Sequence, residues 1–344
     1  MIFKLVRPAI FALKPENAHR FAIWSFRHLP KGRPVAPGPL AISIAGLDFP
    51  NPVGMAAGFD KDAEIADALL GLGFGFVEVG TITPKPQPGN PAPRLFRLGE
   101  DKAIINRMGF NNSGLDEAMT RMARLRSTGI SGIVGVNVGA NKDSADRIAD
   151  YVEGVRRAGA VADYITVNIS SPNTPGLRQL QDKGALDELL GAIAAIRNAG
   201  DPPIFLKVAP DLEDGEHEHI VRAATDHRFD ALIVSNTTIA RPALTSPHAV
   251  EAGGLSGAPL RAMALEQLRR FHAVSGGALP LIGVGGIATA EDAWERIRAG
   301  ASLVQIYSAM IYYGPEIARN INRGLERLMD RDGFASIAEA VGSE

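Results

Sequence analysis

The sequence predicts an α/β chain: a closed (β/α)8 TIM barrel behind an N-terminal amphipathic helical hairpin. Three observations carry this reading. From residue 52 onward, short apolar runs alternate with longer segments of helical periodicity. The runs are near-continuous in Val, Ile, Phe and Ala, the pattern of strands buried on both faces. Eight such pairs follow one another, which is the count that closes a parallel barrel. An open doubly wound sheet is the alternative, but no run leads into the spaced glycines of a dinucleotide-binding turn. The expected division is 1–45 for the hairpin extension and 46–344 for the barrel.

The hairpin is read from charge and spacing. Lys4, Arg7, Lys14, Arg20, Arg27, Lys31 and Arg33 stand against the single acid Glu16, a local net charge of +6 in a chain whose total is -2. Apolar residues recur at helical spacing over 2–13 and 21–26, Pro15 with Glu16 restarts a helix, and the prolines from 30 to 39 end it. Two readings stay open: a pair of helices lying on an anionic membrane surface, or a hairpin packed across one end of the barrel. The charges that interrupt the apolar stretch, and the lack of a small-residue cleavage site, disfavour a signal peptide. No apolar run is long enough to span a bilayer.

The barrel strands are expected at 52–59, 74–80, 133–139, 164–170, 204–209, 231–235, 281–286 and 303–307. The intervening helices are expected at 62–72, 114–126, 144–157, 185–198, 213–226, 259–274, 289–299 and 315–329. The 46% hydrophobic and 22% charged residues are ordinary globular values. The near-neutral total charge gives no positive field for nucleic acid. With no cysteine, disulfides, thiolate catalysis and cysteine metal sites are excluded.

In such a barrel, chemistry sits at the C-terminal ends of the strands. Those ends carry Gly58-Phe59-Asp60-Lys61, Gly80-Thr81, Asn137, Asn168 with Ser170 and Ser171, Lys207, Ser235-Asn236-Thr237, Gly285-Gly286 and Tyr307-Ser308. Asn137, Asn168 and Asn236 are neutral groups with both donor and acceptor atoms, suited to the edges of a planar heterocycle. No histidine lies at a strand end, so no metal site is expected. Glycine-rich loops follow strands six (253–257) and seven (283–287), and Gly300 precedes strand eight. Together they suit a phosphate, on a substrate or on a cofactor such as FMN. The stretch NISSPNTPGLR (168–178) is the most specific in the chain. Pro172 and Pro175 stiffen it around Asn173-Thr174 and Gly176 permits a reversal. It reads either as a rigid surface turn or as a lid presenting Ser171 and Asn173 to a ligand. No histidine near the serine supports a hydrolase triad.

That stretch, with AAGFDKD (56–62), EVGTITPKPQPGNPAPRLFRL (78–98), INRMGFNN (105–112), FLKVAPDL (205–212), SNTT (235–238), GGLSG (253–257), GVGGI (283–287) and GASLVQIYS (300–308), resembles the dihydroorotate dehydrogenase family. The resemblance runs in order over essentially the whole chain. A serine at the base position and a basic N-terminal extension resemble its class 2, quinone-dependent, bacterial branch.

The resemblance implies oxidation of dihydroorotate to orotate with FMN, electrons passing to a membrane quinone, in pyrimidine biosynthesis. It implies Ser171 as the base at C5 of the substrate, with the hydride from C6 going to the flavin, and a proton relay through Thr174 and a water. Asn106, Asn168, Asn173, Asn236 and Thr237 resemble the residues that bind the pyrimidine, and Lys61 the lysine near its carboxylate. The segment Asn106, Arg107, Met108, Gly109 and Phe110 resembles the substrate loop, Phe110 closing the site; Met108 stands where some relatives carry tyrosine. FMN would contact Ala56, Ala57, Gly58, Phe59, Asp60, Lys61, Thr81, Asn137, Asn168, Lys207, Ser235, Gly257, Gly286, Tyr307 and Ser308. His19 and Arg97 resemble polar partners of the quinone headgroup. A monomer bound peripherally at the cytoplasmic face of the inner or cell membrane is expected, with no nucleic-acid partner. A Schiff-base aldolase using Lys207 or Lys61 is the enzymatic rival. A non-catalytic membrane-bound binding barrel is the other.

Overall fold

Pro15 sits where a proline costs a helix least, in its first turn. In the computed structural model it opens α2 (Pro15–His28), behind α1 (Ile2–Ala12). The structure describes residues 2–174 and 176–344. Pro175, one of the two prolines expected to stiffen the loop after the fourth barrel strand, lies outside the described residues, as does Met1. A short antiparallel ladder follows, β1 (Ile42–Ile44) with β2 (Leu47–Phe49), and spans the expected 45/46 junction.

The barrel then runs β3 (Val53–Met55), α3 (Ala66–Leu70), β4 (Phe76–Ile82), with β5 (Leu95–Leu98) and β6 (Ala103–Asn106) inserted before α4 (Gly114–Ser127). It continues β7 (Ile133–Val138), α5 (Arg147–Ala158), β8 (Tyr164–Asn168), α6 (Lys183–Ala195), β9 (Ile204–Val208), α7 (Glu216–Asp226) and β10 (Ala231–Val234). After an inserted β11 (Gly254–Gly257) come α8 (Arg261–Ser275), β12 (Leu281–Val284), α9 (Ala290–Arg298) and β13 (Ala301–Ile306). The chain ends with α10 (Ser308–Tyr313), α11 (Ile317–Asp332) and α12 (Ile337–Ala340). β3, β4, β7, β8, β9, β10, β12 and β13 pair in parallel and in that order, and β13 closes on β3. All eight expected strands are therefore present, in a closed (β/α)8 barrel. β3 is shorter than expected. After Met55 the chain turns across the barrel mouth, held by Ala56 N to the Ile306 carbonyl at 3.0 Å and Gly58 N to the Gly80 carbonyl at 2.7 Å.

The barrel interior is filled by large rings set against glycines. Phe76, Tyr164 and Phe205 are at most 1% exposed, with Tyr164 and Phe205 stacked at 4.7 Å. A Cβ on Gly54 would fall 2.3 Å from the Phe76 ring, and one on Gly135 would fall 2.1 Å from that of Tyr164. Neither ring fits unless that strand position is bare.

The insertions pair as a three-stranded antiparallel sheet, β5–β6–β11. It stands over the C-terminal mouth and was not expected as a sheet. The hairpin packs by one side: Ala18 is buried, and Ala22, Ile23 and Phe26 lie against the core. Its other side leaves Leu5 79%, Trp24 58% and Leu29 58% exposed. No helix among the described residues is long and apolar enough to cross a membrane.

Candidate active site

The strand ends open into one cleft of about 1420 Å³, its solvent-open mouth included. Ala56, Ala57, Gly58 and Lys61 enter after β3, Thr81 from β4, Asn168 and Ser171 from β8 and its loop, and Lys207 from β9. Ser235, Asn236 and Thr237 follow β10, Gly286 follows β12, and Tyr307 and Ser308 follow β13. The inserted sheet and its following segment cover the mouth with Asn106, Met108, Gly109, Phe110 and Gly257, and Asn173 comes from the loop after β8.

The floor is a buried polar network. Thr81 donates its hydroxyl hydrogen to Asn137 Oδ1 at 2.6 Å, and Asn168 Nδ2 donates to Thr81 Oγ1 at 3.0 Å. Asn137 Nδ2 donates in turn to Glu78 Oε1 at 2.7 Å, while Gln305 and Tyr164 donate to Glu78 Oε2 at 2.8 and 3.2 Å. Lys207 stands in the same interior. Its burial lowers the ammonium pKa, and the Glu78 carboxylate opposes that shift. Lys61 is pulled down to about 8, mainly by desolvation, and its ammonium donates to the Gly58 carbonyl.

The loop after β8 is pinned from behind. Arg178 Nε donates to the Ser170 carbonyl at 3.1 Å, Nη2 to the Thr237 carbonyl at 2.9 Å, and Nη1 pairs with Asp211 at 2.8 Å. Ser171 is buried, and its Oγ accepts from Asn173 N at 3.3 Å. Among the described residues, the buried Thr174 hydroxyl has no hydrogen-bond partner. Asn236 Nδ2 donates to Ser170 Oγ at 3.0 Å, and Asn173 Nδ2 to Asn106 Oδ1 at 3.2 Å.

Six expected residues do not line the cleft. Asn137 lies beneath Thr81 and Asn168. Asp60 accepts from the Glu64 and Ile65 amides at 2.8 and 2.9 Å, leading into α3, and burial raises its pKa to about 6. Phe59 turns toward the hairpin, its ring 5.4 Å from that of His19 and 5.7 Å from that of Tyr307. Arg107 pairs with Glu251 at 2.8 Å and covers the Phe96 ring. Arg97 covers the Phe11 ring at 4.6 Å and donates to the Phe11 carbonyl at 3.1 Å and to the Leu13 carbonyl, closing the end of α1. His19 is held well below the ordinary imidazole range by burial and by the Lys61 charge.

Sequence reasoning missed Asn111, which lines the cleft with a buried, unpartnered Oδ1. It lies inside the motif 105–112 but at no barrel strand end. Gln87 and Asn90 were also missed. Gln87 Nε2 donates to the Gly109 and Phe110 carbonyls at 3.0 and 3.1 Å, and Asn90 Nδ2 to those of Arg107 and Asn173 at 3.0 and 3.1 Å. Together they tie the segment over the mouth to the loop after β8. Among the described residues, no group of three or more His, Asp or Glu is placed to hold a metal ion.

A closed parallel barrel with convergent polar groups at its strand ends has the architecture and site placement of the α/β-barrel enzymes. Residues 39–329 match the family model described as Dihydroorotate dehydrogenase. Proteins named Dihydroorotate dehydrogenase (quinone) from Erythrobacter litoralis and Novosphingobium aromaticivorans are each 62% identical over 346 residues, covering 100% and 99% of both chains. The solved structure titled DHODH in complex with ferulenol, from Eimeria tenella, has a TM-score of 0.92 at 41% identity and covers 98% of each chain. The ligand-free form from the same organism gives 0.91 at 42% identity, covering 96% of this chain and 99% of that one. The chain belongs to the dihydroorotate dehydrogenase family, and it is an oxidoreductase.

Proposed function

We propose that this protein oxidises dihydroorotate to orotate on FMN held in the cleft, and passes the electrons to a membrane quinone. One observation carries the reading most: Ser171, Lys61, Asn106, Asn168, Asn173, Asn236 and Lys207 converge on one cleft beside glycine-rich loops. The cleft also suits FMN. Gly257 and Gly286 both line it at positive φ, and a Cβ on either would fall 2.4 Å from the backbone of Lys102 or Arg261. Both positions therefore need glycine and bring main chain to the cleft surface, where N–H groups could meet a phosphate. Thr81, Asn168, Lys207, Ser235 and Ser308 would hold the rest, and bound FMN would supply a two-electron acceptor.

The chain's own residues account for the remaining work. The asparagines match the carbonyl and N–H edges of a dihydropyrimidine. Lys61 meets its carboxylate and fixes the ring's orientation. Ser171 takes the C5 proton, and the unpartnered Thr174 hydroxyl is a candidate to pass it on. Lys207 lines the cleft, where the Glu78 carboxylate favours its charged form against burial, offering positive charge to a reduced flavin.

The hairpin supports a membrane role. Its seven cations are exposed, and its apolar outer face lies beside them, the combination that binds anionic lipid. The rings of His19, Phe59 and Tyr307 form a contiguous aromatic path from α2 to the cleft. The quinone reading of His19 rests on that path. Arg97, engaged with the end of α1, acts by holding the hairpin in place.

The visible spectrum tests the proposal. Protein as purified should be yellow, should bleach on anaerobic addition of dihydroorotate, and should recolour on addition of a quinone. A colourless protein trapped on Lys207 or Lys61 by borohydride would favour an aldolase. A yellow protein that dihydroorotate does not bleach would overturn the substrate assignment.

A further inference from the structure

Arg296 is a buried cation that the site described above leaves unused. It lies on α9, and its side chain is 1% exposed. Nη2 donates to the Gly285 carbonyl at 2.9 Å and to the Arg261 carbonyl at 2.7 Å. It thus ties the loop after β12 to the first residue of α8. Gly286 is wedged against that residue, since a Cβ there would fall 2.4 Å from Arg261 Cα. Nε and Nη1 are buried and have no hydrogen-bond partner. The carboxylates nearest in sequence, Asp292 and Glu295, each pair with Arg261 at 2.9 Å instead. Burial lowers the Arg296 pKa to about 10, which still leaves it protonated at neutral pH.

Gly285 and Gly286 line the cleft, whereas Arg296 does not reach it. In a trans peptide, the carbonyl and the next N–H point in opposite directions. With the Gly285 carbonyl turned back onto the guanidinium, the Gly286 N–H faces away from Arg296. Among the described residues, that N–H makes no backbone hydrogen bond. Glu295 and Asp292 favour the Arg296 charge through space while Arg261 opposes it, and neither carboxylate pairs with it directly. A buried charge so incompletely compensated is unfavourable, and its field is weakly screened in the interior. An anion on the cleft side of the loop would relieve it.

We propose that Arg296 is a positioning residue for a phosphate monoester on the Gly285-Gly286 loop. It orients the peptide whose N–H meets the phosphate, and it supplies positive charge from behind without touching the ligand. The proposal rests on the FMN reading above, in which the glycine-rich loops take the cofactor's phosphate, and adds Arg296 behind them.

Riboflavin, which lacks only the phosphate, separates the two. Full-length flavoprotein is dialysed against equal excesses of FMN and riboflavin, and the bound flavins are counted. Wild type should strongly prefer FMN. Arg296→Met should narrow that preference by on the order of tenfold, equivalent to about 1.4 kcal/mol, and Arg296→Lys should restore most of it. If Arg296→Met does not fold, Arg296→Gln makes the same comparison, because it keeps a donor for the Gly285 carbonyl without the charge. An unchanged preference, or equal weakening for both flavins, overturns the proposal. A wild type that does not distinguish the two flavins refutes the phosphate site itself, and with it the FMN reading.

Discussion

Lys61→Met should make the protein more stable at pH 7 while abolishing its turnover. Burial pulls the Lys61 ammonium from its ordinary 10.5 to about 8. At about 1.4 kcal/mol per pKa unit, keeping that proton in the folded state costs about 3 kcal/mol at pH 7. The variant also loses the hydrogen bond to the Gly58 carbonyl, which offsets about 1 kcal/mol. The expected net gain is about 2 kcal/mol. The sign with pH follows from proton counting. The unfolded chain holds the Lys61 proton more tightly than the folded one, so wild-type stability rises with pH between about 8 and 10.5. The penalty is complete below about 8, and the gap between the two proteins should close on the alkaline side. Urea unfolding at pH 7 and at pH 10, with flavin content matched, reads both effects. An anionic ligand should raise the Lys61 pKa again. Orotate binding near pH 8.5 should therefore take up protons in wild type and not in the variant, as measured by calorimetry in two buffers of different ionisation enthalpy. A variant no more stable than wild type at pH 7, or a gap that persists at pH 10, would refute the reasoning. A buried lysine that lowers stability is consistent with a residue kept for the charge it offers a ligand.

Ser171→Ala should keep its flavin but slow bleaching by dihydroorotate in stopped flow by about a hundredfold or more, the scale of a lost positioned base; unchanged bleaching would remove Ser171 from that role. Ser171→Cys should keep some activity, with its pH optimum moved toward a thiol pKa. Lys207→Ala should be purified with depleted flavin whereas Lys61→Ala keeps a normal content, and the opposite pattern would exchange their roles. Deleting residues 1–40 should leave a yellow barrel that dihydroorotate still bleaches, but that reacts poorly with long-chain quinones and no longer binds anionic vesicles. Equal rates with such a quinone in vesicles would leave the hairpin as an anchor or a cap only.

The barrel was legible in the sequence because its strands are buried on both faces, so each is a near-continuous apolar run between amphipathic helices, broken mainly by the polar residues of the site and its support such as Glu78, Asn137 and Lys207. The exceptions share a cause. β5, β6 and β11 are four residues each, and β11 lies about 150 residues from its partner β6, pairing Gly254 with Asn106. A four-residue run such as Gly254–Gly257 has no periodicity to read, and only the closed barrel brings it over the mouth. α3 begins later than its amphipathic pattern because Asp60 accepts from the Glu64 and Ile65 amides, holding that stretch as a capped loop.

The site was legible to the same degree and for the same reason: strand ends can be counted along the chain. What the count cannot supply is depth and direction. Asn137 and Asn168 are the same residue type near the ends of adjacent strands. In the ladder, however, Asn137 pairs with Thr166, whereas Asn168, two residues further along β8, pairs with Lys207. That offset places Asn137 one layer lower, against Glu78, while Asn168 reaches the cleft. Direction separates Lys61 from Asp60 in the same way. The two are adjacent, and the bend after β3 turns one side chain into the cleft and the other onto the backbone of α3's approach. Asn111 shows the converse, since it reaches the cleft from a segment with no barrel strand at all, held there by Gln87 and Asn90 across the mouth. A polar residue at a strand end is therefore evidence of a site. Whether it touches the ligand, supports a neighbour that does, or caps a turn depends on the register between strands and on the loops that cross the barrel mouth.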